Sequence, residues 1–199
     1  MMKKIGWVVF GFFSIGIYPI LYGLVDMSQG FLGGKTEEVL NSSAWNWFFY
    51  QHIGFGAISM LSGWTQFSKR IRAKNINIHR TLGKIYVGSV ILSGMAGLYL
   101  SFFATGGVIA AFGFGAMALA WLGTTVMAFI TVKKGQIEAH QNWMIRSYAV
   151  CWAAVTLRLW LPILQGGIGM DFISAYLLVS WLSWVPNLMV AEWIVYETK

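Results

Sequence analysis

Apolar residues fall along the chain in blocks of roughly 20 positions, the length of helix that crosses the hydrocarbon of a bilayer. Short stretches rich in Gly, Asn, Ser, Lys and Arg separate them. Six such blocks predict six transmembrane helices. The first covers 5–25 behind Lys3-Lys4; it is longer than a signal-peptide core and reads as a retained span. A polar loop over 26–44 follows, with Gly33-Gly34 as a break and Asn41-Ser42-Ser43 as a helix cap. The second span covers 45–67 and leads into the basic run Lys69-Arg70-Ile71-Arg72-Ala73-Lys74. The third covers 81–103 and turns at Thr105-Gly106-Gly107. The fourth covers 108–132 and stops at Lys133-Lys134-Gly135. The fifth covers 141–164, closing on Gln165-Gly166-Gly167, and the sixth covers 172–196, with a bend expected at Pro186. The fold class is therefore all-α: a polytopic membrane helix bundle forming one domain over 1–199, with spans two to five as a four-helix core.

Composition agrees. Of 199 residues, 57% are hydrophobic and only 11% charged, less than half the charge fraction of a typical soluble domain, about 25%. Eleven Trp and eight Tyr suit the interfacial belts of a bilayer. The net charge of +7 would suit nucleic acid, but the cations lie between the apolar blocks, where they set topology instead. Lys3, Lys4, Lys69, Arg70, Arg72, Lys74, Arg80, Lys84, Lys133, Lys134, Arg146 and Lys199 fall on one side, twelve of fourteen. Only Lys35 lies in a loop on the other, and Arg158 lies within a span. This asymmetry predicts both termini in the cytoplasm. The one cysteine, Cys151, excludes an intrachain disulfide and Cys-based zinc or iron–sulfur sites.

Polar groups inside the spans carry the candidate chemistry. His52, Gly56, Ser59, Gly63, Gln66 and Arg70 share one face of the second span. His79, Gly83, Tyr86, Ser93 and Gly97 share one on the third, and His140, Met144, Ser147, Cys151 and Arg158 one on the fifth. Glycine and serine at such spacing serve close helix packing. Histidine and arginine differ, because an ionisable group in lipid costs several kcal/mol without a partner or ligand. All three histidines lie on these faces, and Arg158 stands about 27 Å from His140 along the same one. His52 and Arg158 are expected at similar depth near the outer surface. There, with Gln66, they would orient a quinone or another carbonyl compound.

His79 and His140 begin their spans at the cytoplasmic side, where bis-His ligation of one b-type haem is the expectation. Gly83 would admit the ring, and Arg80, Lys84 and Arg146 would take the propionates. A metal site on His79 and His140, with Met144 as a soft ligand for copper, competes. A non-enzymatic module, an assembly factor or small-solute carrier, is the other reading, so whether the chain is an enzyme stays open. No span contains paired carboxylates, which disfavours proton-coupled carriage, and P-loop, GxSxG and HExxH motifs are missing.

Three blocks in order, Gln51-His52 with Gly63-Trp64-Thr65-Gln66-Phe67, then His79-Arg80-Thr81-Leu82-Gly83-Lys84-Ile85-Tyr86, then His140-Gln141-Asn142-Trp143-Met144-Ile145-Arg146-Ser147 with Arg158, resemble a bacterial family. It is the predicted membrane proteins grouped as domain of unknown function 2306, and the resemblance covers roughly residues 45–165. It implies a membrane location and a family set of His, Gln and Arg, without an activity. A weaker, fold-level likeness is to transmembrane b-type cytochromes. With three histidines, the chain could hold one bis-His haem but not two.

Overall fold

The computed structural model describes Leu32 and residues 34–198, so the first predicted span, 5–25, lies outside the described residues. Side-chain caps set most helix starts. Thr36 caps a single turn, α1 (Glu37–Leu40), and the Ser42 hydroxyl accepts from Trp45 N–H to start α2 (Ser43–Gln66). Ser68 caps α3 (Lys69–Lys74), a short helix where the sequence suggested only a basic link. Asn75 caps α4 (Ile76–Ser101), its Oδ1 accepting from Asn77 and Ile78 N–H. That cap begins the helix five residues before 81, so His79 and Arg80 lie within its first turns. Hydropathy rises later than the hydrogen-bonded start, which is why the apolar pattern alone placed the boundary late. Gly106 and Gly107, with φ of +94° and +73°, make the left-handed turn into α5 (Val108–Lys133).

The fifth and sixth predicted spans are both interrupted. The fifth is α6 (Ile137–Cys151), α7 (Ala153–Pro162) and a widened turn over Ile163–Gly167. The sixth is α8 (Phe172–Leu182), capped by Asp171, and α9 (Val185–Glu197). Its break falls at Ser183–Trp184, ahead of the expected Pro186, which sits in the first turn of α9. A proline N–H is not needed there. The two breaks meet and are laced together. Thr156 Oγ1 donates to the Ser183 carbonyl. The Asn187 side-chain amide lies 2.9 Å from the same carbonyl, 3.2 Å from that of Ala149 and 3.2 Å from Thr156 Oγ1. Backbone acceptors freed by a break in an apolar setting need such partners.

Four helical stretches, Ile76–Ser101, Val108–Lys133, Ile137–Gly167 and Phe172–Glu197, are long and apolar enough to cross a membrane. Among the described residues, four of the six expected spans are thus long apolar helices, with α2, the second expected span, beside them. At 24 residues α2 matches them in length, about 36 Å, but its polar face makes it less apolar. It packs antiparallel along α4, its most extensive contact, and also touches α6. α5 packs on α4 and α6, α9 on α6, and α8 on α5 and α7, so the last span joins the expected four-helix core. Among the described residues all regular structure is helical. Tyr86, Val90, Met144, Cys151 and Val155 fill the interior between α4, α6 and α7. Met95, Phe112, Leu119 and Met189 point outward and are exposed, the distribution expected of a surface solvated by hydrocarbon.

Ahead of α1, the Lys35 amine donates to the Phe103 carbonyl at the end of α4. Burial pushes its pKa from 10.5 down to about 8. A lysine whose folded pKa lies below its unfolded value destabilises the fold while both states are charged, below about pH 8. That cost is relieved as pH rises toward about 10.4. The detergent-solubilised protein should melt at higher temperature at pH 9.5 than at pH 7.5, and Lys35→Gln should flatten the difference. An unchanged slope in the variant would remove Lys35 from the explanation.

Candidate functional site

Polar residues recur every seven positions on the facing helices: His52, Ser59 and Gln66 on α2, His79, Tyr86 and Ser93 on α4, His140 and Ser147 on α6. Seven residues are nearly two turns, about 10.5 Å of rise, so each series stays on one face. Because α2 and α4 run antiparallel, the series meet in three layers.

In the first layer the Ser93 hydroxyl donates to the His52 carbonyl at 2.8 Å. His52 Nδ1 lies 2.9 Å from the Ser93 carbonyl and 3.2 Å from its hydroxyl. A carbonyl can only accept, and the one serine proton is already committed, so Nδ1 carries the imidazole proton. Nε2 is then the basic nitrogen. The ring packs closely on Gly97, where a Cβ would stand 3.0 Å from its Cε1 and Nδ1. Arg158 donates from Nη1 to the Ala154 carbonyl at 2.5 Å, and its charge reaches His52. Gln66, expected with them, lies fourteen residues along α2, about 21 Å away, and belongs to the far layer.

The middle layer holds no histidine. Ser59 Oγ meets Cys151 Sγ at 3.6 Å. Tyr86 Oη lies 2.6 Å from Ser147 Oγ, which lies 2.7 Å from Thr125 Oγ1, which donates to the Trp121 carbonyl at 2.7 Å. The terminal carbonyl sets the direction of the whole chain: Tyr86 O–H to Ser147, Ser147 O–H to Thr125, Thr125 O–H to Trp121. All three hydroxyl residues are buried. Thr125 escaped the sequence reading because the fourth span shows no polar face around it.

In the third layer the Gln66 side-chain amide lies across the first turns of α4. Its orientation follows from complementarity: oxygen 3.2 Å from Gly83 N–H, nitrogen 3.2 Å from His79 Nδ1 and 3.3 Å from the His79 carbonyl. His79 Nδ1 therefore accepts, and its proton sits on Nε2. Gly83, expected to admit a flat ring, lies against this amide; a Cβ there would stand 3.1 Å from the Gln66 side-chain amide. His140 is set the opposite way, with Nδ1 donating to the Ala128 carbonyl at 2.8 Å and Nε2 basic. His79 and His140 lie within electrostatic reach of each other, and the charges of Arg72 and Arg80 also act on His79.

Two other expected ligands are engaged elsewhere. Arg146 makes a two-pronged ion pair with Glu192 of α9, at 2.6 and 2.7 Å, and stacks over Trp143 with 4.8 Å to the ring. The sequence offered one signal for that pair, Glu192 as a carboxylate on an apolar span. Met144 is buried in the apolar cluster with Tyr86 and Cys151. Among the described residues no three of His, Cys, Asp and Glu gather as a metal site.

The family model described as "Predicted membrane protein (DUF2306)" matches residues 49–195, from α2 to the end of the bundle, and so includes all three layers. Comparison with curated proteins gives no match, and comparison with solved structures gives none either, so the likeness to b-type cytochromes gains no support there. A match over that much of the chain, carrying the His, Gln and Arg positions of all three layers, means that the protein belongs to the predicted membrane protein family DUF2306.

Proposed function

We propose that the protein is a redox-linked bacterial inner-membrane protein that binds a quinone-type molecule at the His52 layer, near the outer surface. The orientation rests on the asymmetry of Lys and Arg, which assigns the layer of His79 and His140 to the cytoplasmic side. One observation carries the reading: Ser93 fixes His52 in the tautomer with a basic Nε2, within electrostatic reach of Arg158. Paired groups of opposite hydrogen-bonding character suit both forms of a quinone. Arg158 donates to a carbonyl oxygen of the oxidised ring, and His52 Nε2 accepts the O–H of the quinol. Ser93 and Gly97 position the imidazole.

Titration of the detergent-solubilised protein with a short-chain quinone, followed by tryptophan fluorescence, tests it. Saturable binding is expected. His52→Ala should weaken it at least ~10-fold, about 1.4 kcal/mol, while shifting the melting temperature by only a few degrees. No saturation, or equal affinity in the variant, would defeat the proposal.

A single b-type haem between His79 and His140 is the second reading. It is favoured by His140, whose Nδ1–H···O=C bond is the second-sphere contact of a ligating histidine. His79 fits only if the Gln66 amide turns over, so that Nδ1 donates and Nε2 is released for iron. Protein prepared from haem-replete cells should then show a Soret band that sharpens on dithionite reduction and disappears in His140→Ala. A colourless preparation without extractable haem excludes this form, and elemental analysis of the same sample tests copper on His79, His140 and Met144.

A further inference from the structure

Gln51 stands next to His52 and also crosses from α2 to α4. The two side chains reach α4 in the same register. His52 Nδ1 donates to the Ser93 carbonyl at 2.9 Å, and Gln51 Nε2 donates to the preceding carbonyl, that of Leu92, at 3.1 Å. Consecutive carbonyls of a helix differ by about 1.5 Å of rise, so the amide and the imidazole meet α4 at one depth. Because the Leu92 carbonyl can only accept, the orientation of the amide is fixed: its nitrogen faces α4 and its oxygen is left for another partner. Gln51 Oε1 is shut off from solvent, and among the described residues no donor reaches it. A buried amide oxygen without a donor is a standing cost. The adjacent imidazole does not relieve it, since its Nδ1 proton is committed to Ser93 and Nε2 is itself an acceptor.

Two successive residues of α2 thus offer hydrogen-bond acceptors, and the complement to both is a molecule that brings O–H donors. An oxidised quinone has carbonyls and no O–H, whereas its quinol has two. We infer that Gln51 Oε1 is a second acceptor of the quinone site, which takes a hydroxyl of the reduced ring and makes the site hold a quinol more tightly than the corresponding quinone. This rests on the quinone reading and deepens it, because it names the redox form that the site selects. A quinone carbonyl set against Gln51 Oε1 or His52 Nε2 would face acceptor with acceptor, an element of discrimination against the oxidised ring. Gln51 is then a specificity-determining residue, its Nε2 bond to Leu92 holding the oxygen in place.

Calorimetric titration of the full-length protein in neutral detergent and oxygen-free buffer tests this, with a short-chain benzoquinone and, separately, with its quinol. The quinol should bind at least ~10-fold more tightly, the scale of one buried hydrogen bond made or left unmade. That ratio in the wild-type protein needs no variant. Gln51→Met keeps the length of the side chain but replaces the amide with a thioether, and should bring the two affinities to within ~2-fold of each other. The ratio is the readout because losing the bond to Leu92 would loosen α2 on α4 and lower both affinities alike. Equal binding of the two forms by the wild-type protein overturns the role of Gln51 and leaves the quinone reading standing. So does a Gln51→Met protein that keeps the wild-type ratio, whether or not both affinities fall, since the residue would then be a strut between the helices. Binding of neither form by the wild-type protein defeats the quinone reading itself, and the inference with it.

Discussion

Gly63→Ala is expected to destabilise the protein by ~2–3 kcal/mol, the upper part of the range for overpacking a filled interior. A Cβ at this position would stand 2.6 Å from Tyr86 Cε2 and 2.7 Å from the Tyr148 ring. Neither ring can swing aside cheaply, because both are pinned at their hydroxyl ends. Tyr86 bonds to Ser147 at 2.6 Å and Tyr148 donates to the Met60 carbonyl at 3.1 Å. Displacing either would break a buried hydrogen bond as well as a packing contact. Gly54 and Gly88 supply the control, since a Cβ at either meets nothing within 4 Å. Alanine there should be neutral or stabilising by up to ~1 kcal/mol through helix propensity. Unfolding of each variant in mixed detergent reads all three. If Gly63→Ala behaves like the controls, the close approach of α2 to the two tyrosines is not as described.

The same contrast explains what could be read along the chain. The faces of the second, third and fifth spans were legible because a seven-residue repeat drifts by only about 20° on a helix. His52, Ser59 and Gln66 therefore stay aligned whatever the neighbours do. Which face meets which partner was not legible. The pairing of His52 with Ser93 and of Gln66 with His79 depends on the register of α2 against α4, and the capped link from Phe67 to Asn75 sets that register. Hydropathy is silent about such a link. Gln66 was accordingly expected with His52, although fourteen residues of helix separate them.

The glycines show a similar division. Their presence on the polar faces was plain, and close packing was the expected use. The structure adds that each accommodates a particular polar or aromatic group: Gly97 the His52 ring, Gly83 the Gln66 amide, Gly63 the two tyrosines. Helix breaks were the least legible feature. Nothing local marks Trp152 as an interruption, and it persists beside the break at Ser183 because Thr156 and Asn187 bridge the two. Such bridges join positions some thirty residues apart, beyond the reach of periodicity.

Ser147→Ala should cost more than Tyr86→Phe, and the two together should cost no more than Ser147→Ala alone. The direction of the hydroxyl chain requires this. Tyr86 donates to Ser147, which donates to Thr125, whose own proton goes to the Trp121 carbonyl. Removing the Tyr86 hydroxyl takes away one donor and leaves Ser147 bonded to Thr125, a loss near the average for interhelical hydrogen bonds in membranes, about 0.6 kcal/mol. Removing the Ser147 hydroxyl strands the Tyr86 O–H in a fully buried site, where an unmade bond costs ~1–3 kcal/mol. Once it is stranded, deleting that hydroxyl is neutral or restorative, so Tyr86→Phe should rescue part of Ser147→Ala. A double-mutant cycle measured by unfolding in mixed detergent gives the coupling directly. Additive losses would mean that the chain of hydroxyls does not act as one unit. Rescue would establish an ordered polar layer at mid-depth, between the His52 layer and the layer of His79 and His140.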